Sequence, residues 1–156
     1  MKVINVPIEP LEQRYSADWI RWFDREFTEA GIEFTTIIPE PLTDKIVRGS
    51  FLDIAGTNYF KASQIAAISK MFFNNEIKDG DIIFLHDVWF PGIESIAYMR
   101  DGLGIDVKIV GCIFAGCYDP FDFLTKKGMG YWGKHIEEGW FRILDQIYVA
   151  TQFHKR

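Results

Sequence analysis

The sequence predicts an α/β fold, a Rossmann-like parallel sheet of about five strands with helices on both faces. Three observations predict it. Short β-type runs alternate with segments of helical periodicity along the whole chain. Ile82-Ile83-Phe84-Leu85 is apolar without a break, as expected of a central strand covered on both sides. No internal repeat, linker or low-complexity tract divides the 156 residues, so residues 1–156 read as one domain.

Taken in order, Val3-Ile4-Asn5-Val6 is the first strand and ends at Pro7. Ser16 is placed as a helix N-cap with Asp18 in the first turn, where the helix dipole favours an anion. Trp19, Ile20, Phe23, Phe27 and Ala30 recur at helical spacing, and Gly31 ends that helix. Ile32 to Ile38 reads as a second strand, and residues 41 to 57 read as irregular. A second helix is expected from about Asn58 to Ile77, then the turn Asp79-Gly80-Asp81 and the strand Ile82–Leu85. Pro91 suits the first turn of a helix covering Gly92 to about Asp101. Val107 to Phe114 is a buried strand, Lys134 to Leu144 a helix, and Ile147 to Ala150 the last strand. Thr151 to His154 could begin another helix, which points to a working unit longer than this chain. The order β-α-β-α-β-α-β-α-β implies right-handed crossovers and a parallel sheet.

Bulk properties narrow the function classes. Hydrophobic residues make up 48% of the chain, which excludes a disordered protein. The 14 Phe, 5 Trp and 6 Tyr exceed what a minimal core needs, so some belong in a cleft or at an interface, and a homo-oligomer stays open. A formal net charge of -5 offers no global basic field for nucleic acid. Charges at Glu9, Glu12, Arg14 and Asp18 interrupt the N-terminus, which therefore does not read as a signal peptide. The charge-free run from Ile109 to Tyr118 is far short of the roughly 20 residues that span a bilayer. Cys112 and Cys117 lack further ligands at zinc spacing and read as reduced, buried thiols, so a cytoplasmic protein is expected, with no bound metal.

Open parallel sheets bind ligands beyond the carboxyl ends of their strands. That rule selects four loops: Glu12 to Tyr15, His86 to Gly92, Ala115 to Phe123, and Thr151 to His154. The first has no glycine-rich phosphate cradle, and Gly128-x-Gly130-x-x-Gly133 has no strand just before it, so no dinucleotide cofactor is expected. Arg14 offers a forked guanidinium for a phosphate, carboxylate or hydroxyl, and the alternative is a local ion pair with Glu12. His86 and Asp87 at a strand end suit proton transfer or sugar hydroxyls, and Trp89 and Phe90 suit stacking on a sugar or base. The plainer alternative is that His86 and Asp87 only bond the loop backbone. Gly92 and Glu94 open the following helix. Gly116 would let a ligand approach the backbone, Tyr118 and Phe123 would form walls, and Asp119 and Asp122 would bind hydroxyls or simply start turns.

At these loops the chain resembles a group of phage and bacterial glycosyltransferases of the GT-B class. The similar segments are Glu12-Gln13-Arg14-Tyr15-Ser16-x-x-Trp19, Gly49-Ser50-Phe51-Leu52-Asp53 with Thr57-Asn58, and Asp87-Val88-Trp89-Phe90-Pro91-Gly92-Ile93-Glu94. They continue with Ala115-Gly116-Cys117-Tyr118-Asp119-Pro120-Phe121-Asp122-Phe123 and Val149 to Lys155. The resemblance covers most of the chain, as an N-terminal domain. It implies that this domain binds a sugar acceptor and supplies a base, Asp87 or His86, while a C-terminal domain holds the nucleotide-sugar, with no metal needed. Arg14, Tyr15, Trp89, Gly92, Glu94, Gly116, Tyr118, Asp119 and Asp122 would then line the acceptor side. Alone, the chain should bind donor weakly and transfer little. Two other readings are a stand-alone binding module without turnover, and a flavodoxin-like or metal-dependent hydrolase.

Overall fold

The computed structural model describes residues 1–11, 15–42 and 53–152. Five parallel strands form one sheet: β1 (Lys2–Val6), β2 (Glu33–Thr36), β3 (Ile82–Leu85), β4 (Lys108–Ile113) and β5 (Gln146–Val149). Their order is β2-β1-β3-β4-β5. Register is set by pairs such as Ile4 with Thr35 on one side and with Ile83 on the other. The expected parallel α/β sheet is therefore present, and the chain reverses direction across it between β1 and β3.

Strand alternation divides the side chains between two faces. Ile4, Val6, Ile83, Leu85 and Ile109 point to one face and are fully or nearly buried. Three helices cover them, lying side by side in the order α2 (Ile54–Phe73), α3 (Ile93–Leu103) and α5 (Gly130–Ile143). These contribute Ile68, Met71, Phe72, Ile93, Ile96 and Trp140 to the same core. Helix α1 (Tyr15–Glu29) covers the other face through aromatic rings. Phe23 meets Phe84 edge-on at 5.0 Å, and Trp19 meets Phe114 at 5.1 Å.

Several element boundaries differ from the sequence expectation, each for a local reason. Helix α2 begins at Ile54, inside the stretch read as irregular, because the Asp53 side chain caps it by accepting from the Gly56 N–H at 3.1 Å. It ends at Phe73 rather than Ile77, where Asn75 takes a left-handed φ of 56°. Ser16 lies inside α1 instead of capping it, and its hydroxyl donates to the Glu9 carbonyl at 2.8 Å. Helix α5 starts at Gly130, four residues before the expected Lys134. A short helix α4 (Phe123–Lys126), absent from the sequence reading, is capped by Asp122, which accepts from the Leu124 N–H at 2.8 Å.

Gly92, at the entry to α3, has φ 130°, a conformation open to glycine alone. A Cβ there would lie 2.6 Å from Ile65 Cγ1. Gly92→Ala is expected to cost about 2 kcal/mol or more in folding free energy, measured by urea titration. An unchanged midpoint would mean the turn does not hold this conformation.

Candidate active site

The cleft is built where β1 and β3 diverge, at the carboxyl end of the sheet. Asp87 follows β3, and its Oδ1 accepts from the Trp89 N–H at 3.1 Å, closing a tight turn. Its Oδ2 lies 3.8 Å from Lys61 Nζ on α2, an ion pair without a direct hydrogen bond. Lys61 also donates to the Trp89 carbonyl oxygen. Burial pushes the Lys61 ammonium below its usual range, against the opposing pull of Asp87 and Glu9. Glu9, in the loop after β1, is itself only 7% exposed and accepts from the Thr57 hydroxyl at 3.1 Å. Two carboxylates, one ammonium and one hydroxyl thus converge from β1, β3 and α2.

Around them lies a cavity of about 160 Å³, walled by Tyr15, Trp89, Phe123, Lys61, Asp87 and Asp122. A second lobe of about 230 Å³ shares Thr57, Lys61, Trp89, Phe123 and Leu124 with it. Trp89 lines both lobes and is held at three points. Its backbone N–H and carbonyl bond Asp87 and Lys61, and its indole N–H donates to Glu137 Oε1 at 2.6 Å. Trp132 and Trp140 meet its ring edge-on at 5.9 and 5.3 Å.

Glu137 is buried to 1% exposure on α5, and the same Oε1 accepts from the Cys117 N–H at 2.6 Å. It therefore ties the Trp89 loop to the loop after β4. A Cβ at Gly116 would lie 2.6 Å from that oxygen, so the absence of a side chain at 116 makes room for the carboxylate. Glu94 plays a parallel part. Its Oε2 accepts from the Trp140 indole N–H at 2.8 Å and from the Gly92 N–H at 3.3 Å.

The sequence-selected residues therefore separate into groups. Asp87, Trp89, Tyr15 and Asp122 share the cleft wall. Gly92, Glu94 and Gly116 sit behind it and fix its shape. Tyr118 and Asp119 line a neighbouring hollow of about 400 Å³, beside Gly116 and Glu137. There Asp119 accepts from the Phe121 N–H at 2.8 Å, and Lys134 Nζ lies over the Tyr118 ring at 5.3 Å. Arg14 lies outside the described residues, as do Glu12, Gln13, 43–52 and 153–156.

His86 goes elsewhere, which corrects its expected place beside Asp87. Alternation along β3 turns its ring to the same face as Phe84, under α1, where it is fully buried between Trp19 and Phe23. Its Nε2 lies 2.6 Å from Asn5 Oδ1, and Nδ1 has no hydrogen-bond partner among the described residues. The Asn5 amide in turn donates to Asp24 and Thr36. Burial pushes the imidazole down to about 4, so it is neutral at pH 7.

Lys61 and Glu9 escaped the sequence reading as site residues, and Thr57 entered it only as part of a similar segment. The cysteines are passive. Burial raises both thiols, Cys117 to about 11 with Glu137 adding to the effect, and its sulfur packs against Gly133. Among the described residues no three His, Cys, Asp or Glu side chains converge as metal ligands, and no helix is long and apolar enough to cross a membrane. A further hollow of about 430 Å³ opens near Arg100, Asp106 and Asp145, but at the amino-terminal edge of the sheet, where those charges pair with one another and with Lys108. No protein-family model matches the chain, and no curated protein matches it significantly.

Proposed function

We propose that this domain is the acceptor-binding half of a glycosyltransferase, with Asp87 as the base that receives the proton of an acceptor hydroxyl. The observation that carries the reading is the placement of Asp87: a carboxylate at the end of β3, on the wall of an aromatic-sided cavity at the switch point of the sheet. In the reaction proposed, the acceptor oxygen bonds to the anomeric carbon as the bond to the nucleoside diphosphate breaks. Asp87 takes the hydroxyl proton, and the diphosphate leaves with the electron pair. Lys61 positions Asp87 and balances Glu9, while Trp89, Tyr15 and Phe123 give flat faces for a sugar or other ring. A nucleotide-sugar would be presented across the cleft by a second domain, and this domain contributes little to holding it.

The test is saturation-transfer NMR on the chain with methyl β-D-glucoside and UDP-glucose as separate probes. The glucoside should give signal that Asp87→Asn reduces about tenfold in affinity at a temperature where both proteins are folded, since one charge-assisted hydrogen bond is lost. UDP-glucose should bind no better than its sugar. Undiminished glucoside binding by the Asp87→Asn variant would remove Asp87 from the site.

A second reading, a binding module that joins a partner or its own copy, is favoured by the exposed rings of Phe121 (79%) and Tyr131 (82%) beside the cleft. A solution mass that rises with concentration, and falls back in a Phe121→Ser and Tyr131→Ser variant, would support it.

A further inference from the structure

The two lobes that meet at Trp89 differ in chemistry. The lobe at Asp87 alone carries the carboxylates, Asp87 and Asp122, while Lys61 and Thr57 line both lobes. The other adds Ile54, Pro91, Met129 and Trp132, with Asn58 its sole further polar side chain. Its volume of about 230 Å³ exceeds the roughly 150 Å³ in which an apolar cavity accommodates a benzene ring. The lobes adjoin, sharing Thr57, Lys61, Trp89, Phe123 and Leu124 as common walls. Trp89 is fixed by Asp87, Lys61 and Glu137, so the apolar lobe is a formed feature and not a gap that the indole closes.

We propose that the ligand of this cleft is amphiphilic: a hydroxyl-bearing head at Asp87, joined to an aromatic ring or short acyl group that fills the apolar lobe lined by Ile54, Pro91, Met129 and Trp132. This rests on the reading of the Asp87 lobe as a hydroxyl site and adds the chemical class of the molecule. A purely polar sugar would leave apolar side chains facing water, whereas an aryl group there removes its own surface and theirs from water.

Isothermal titration with p-nitrophenyl β-D-glucoside, methyl β-D-glucoside and indole tests it. The aryl glucoside should bind about 10-fold or more tighter than the methyl glucoside, the gain expected from burying one ring. Ile54→Glu and Met129→Glu, which place a carboxylate in the apolar lobe, should each bring the aryl-to-methyl ratio to about one. Ile54 stands in the first turn of α2, where an acidic residue is favoured, so that variant should keep its melting temperature. Equal affinity for the two glucosides in the unsubstituted protein would overturn the apolar anchor and leave the Asp87 reading standing. Indole binding without binding of either glucoside would sustain the apolar lobe and overturn the hydroxyl site, and with it the amphiphile. A ratio that survives both substitutions would place the aryl group elsewhere and overturn the proposal.

Discussion

Glu137→Ala is expected to lower the folding free energy by about 3 kcal/mol, because it strands two buried donors at once. Both the Trp89 indole N–H and the Cys117 backbone N–H end on one oxygen of a carboxylate that is 1% exposed. For a chain of this size the melting temperature should fall by roughly 6–12 °C. Glu137→Gln keeps an acceptor oxygen in place and should cost about 1 kcal/mol, since a neutral acceptor bonds less strongly than a charged one. Differential scanning calorimetry of the two variants separates a hydrogen-bonding role from space filling. If Ala and Gln cost the same, the carboxylate is not holding these donors. The effect should reach the cleft as well: with Trp89 and the loop after β4 released together, both lobes lose a wall, and Glu137→Ala should bind aryl glucoside more weakly even well below its melting point.

A second large effect is a loss of stability in mild acid that traces to His86. The folded imidazole stays unprotonated down to about pH 4, while an unfolded one takes up a proton below about 6.5. Between these values the unfolded chain binds more protons, so stability rises with pH through the window and falls as the solution is acidified. The contribution is fully present above pH 6.5 and is lost on the way to pH 4. A difference of 2.5 between the two values corresponds to about 3 kcal/mol. His86→Gln retains an amide donor for Asn5 Oδ1 but cannot titrate. Urea unfolding at pH 7 and pH 4.5 should show a clearly smaller loss for the Gln variant than for the parent. Parallel losses would mean that other groups carry the acid sensitivity.

His86 also shows where sequence reading reaches its limit. The loop rule placed His86 and Asp87 together because they are adjacent, yet a strand sends neighbours to opposite faces, and His86, the residue just past β3, still follows that alternation. The sheet itself was legible because apolar runs such as Ile82–Leu85 have one structural solution at that length. Helix starts were less so, because a cap is one side chain: Asp53 fixed the first turn of α2, and reading it as irregular hid Thr57. Lys61 resembles any solvated lysine until α2 is docked, and only the docked helix brings it to Asp87 and Glu9. Glu137 did leave a signal. It stands on the spacing Gly133, Glu137, Trp140, Leu144, where the other members are small or apolar and buried, and a charged residue on such a stripe needs donors to accept from. Asn5 is the counterpart in β1, a polar residue fully buried within an apolar strand and bonded on both sides.

The position of β1 between β2 and β3 has a consequence for synthesis. Val3, Ile4 and Val6 leave the ribosome well ahead of the strand that completes their burial, which begins at Ile82. At about 5–20 residues per second, β1 waits roughly 4–16 s for β3. During that wait β1 can pair only with β2, whose own exposure in the finished sheet is high, and a two-stranded parallel ribbon cannot stand alone. Pairing over some 80 residues is also an entropically costly closure, so the sheet should assemble late and slowly. Strand β1 is the segment most in need of a chaperone while the rest of the chain is being made.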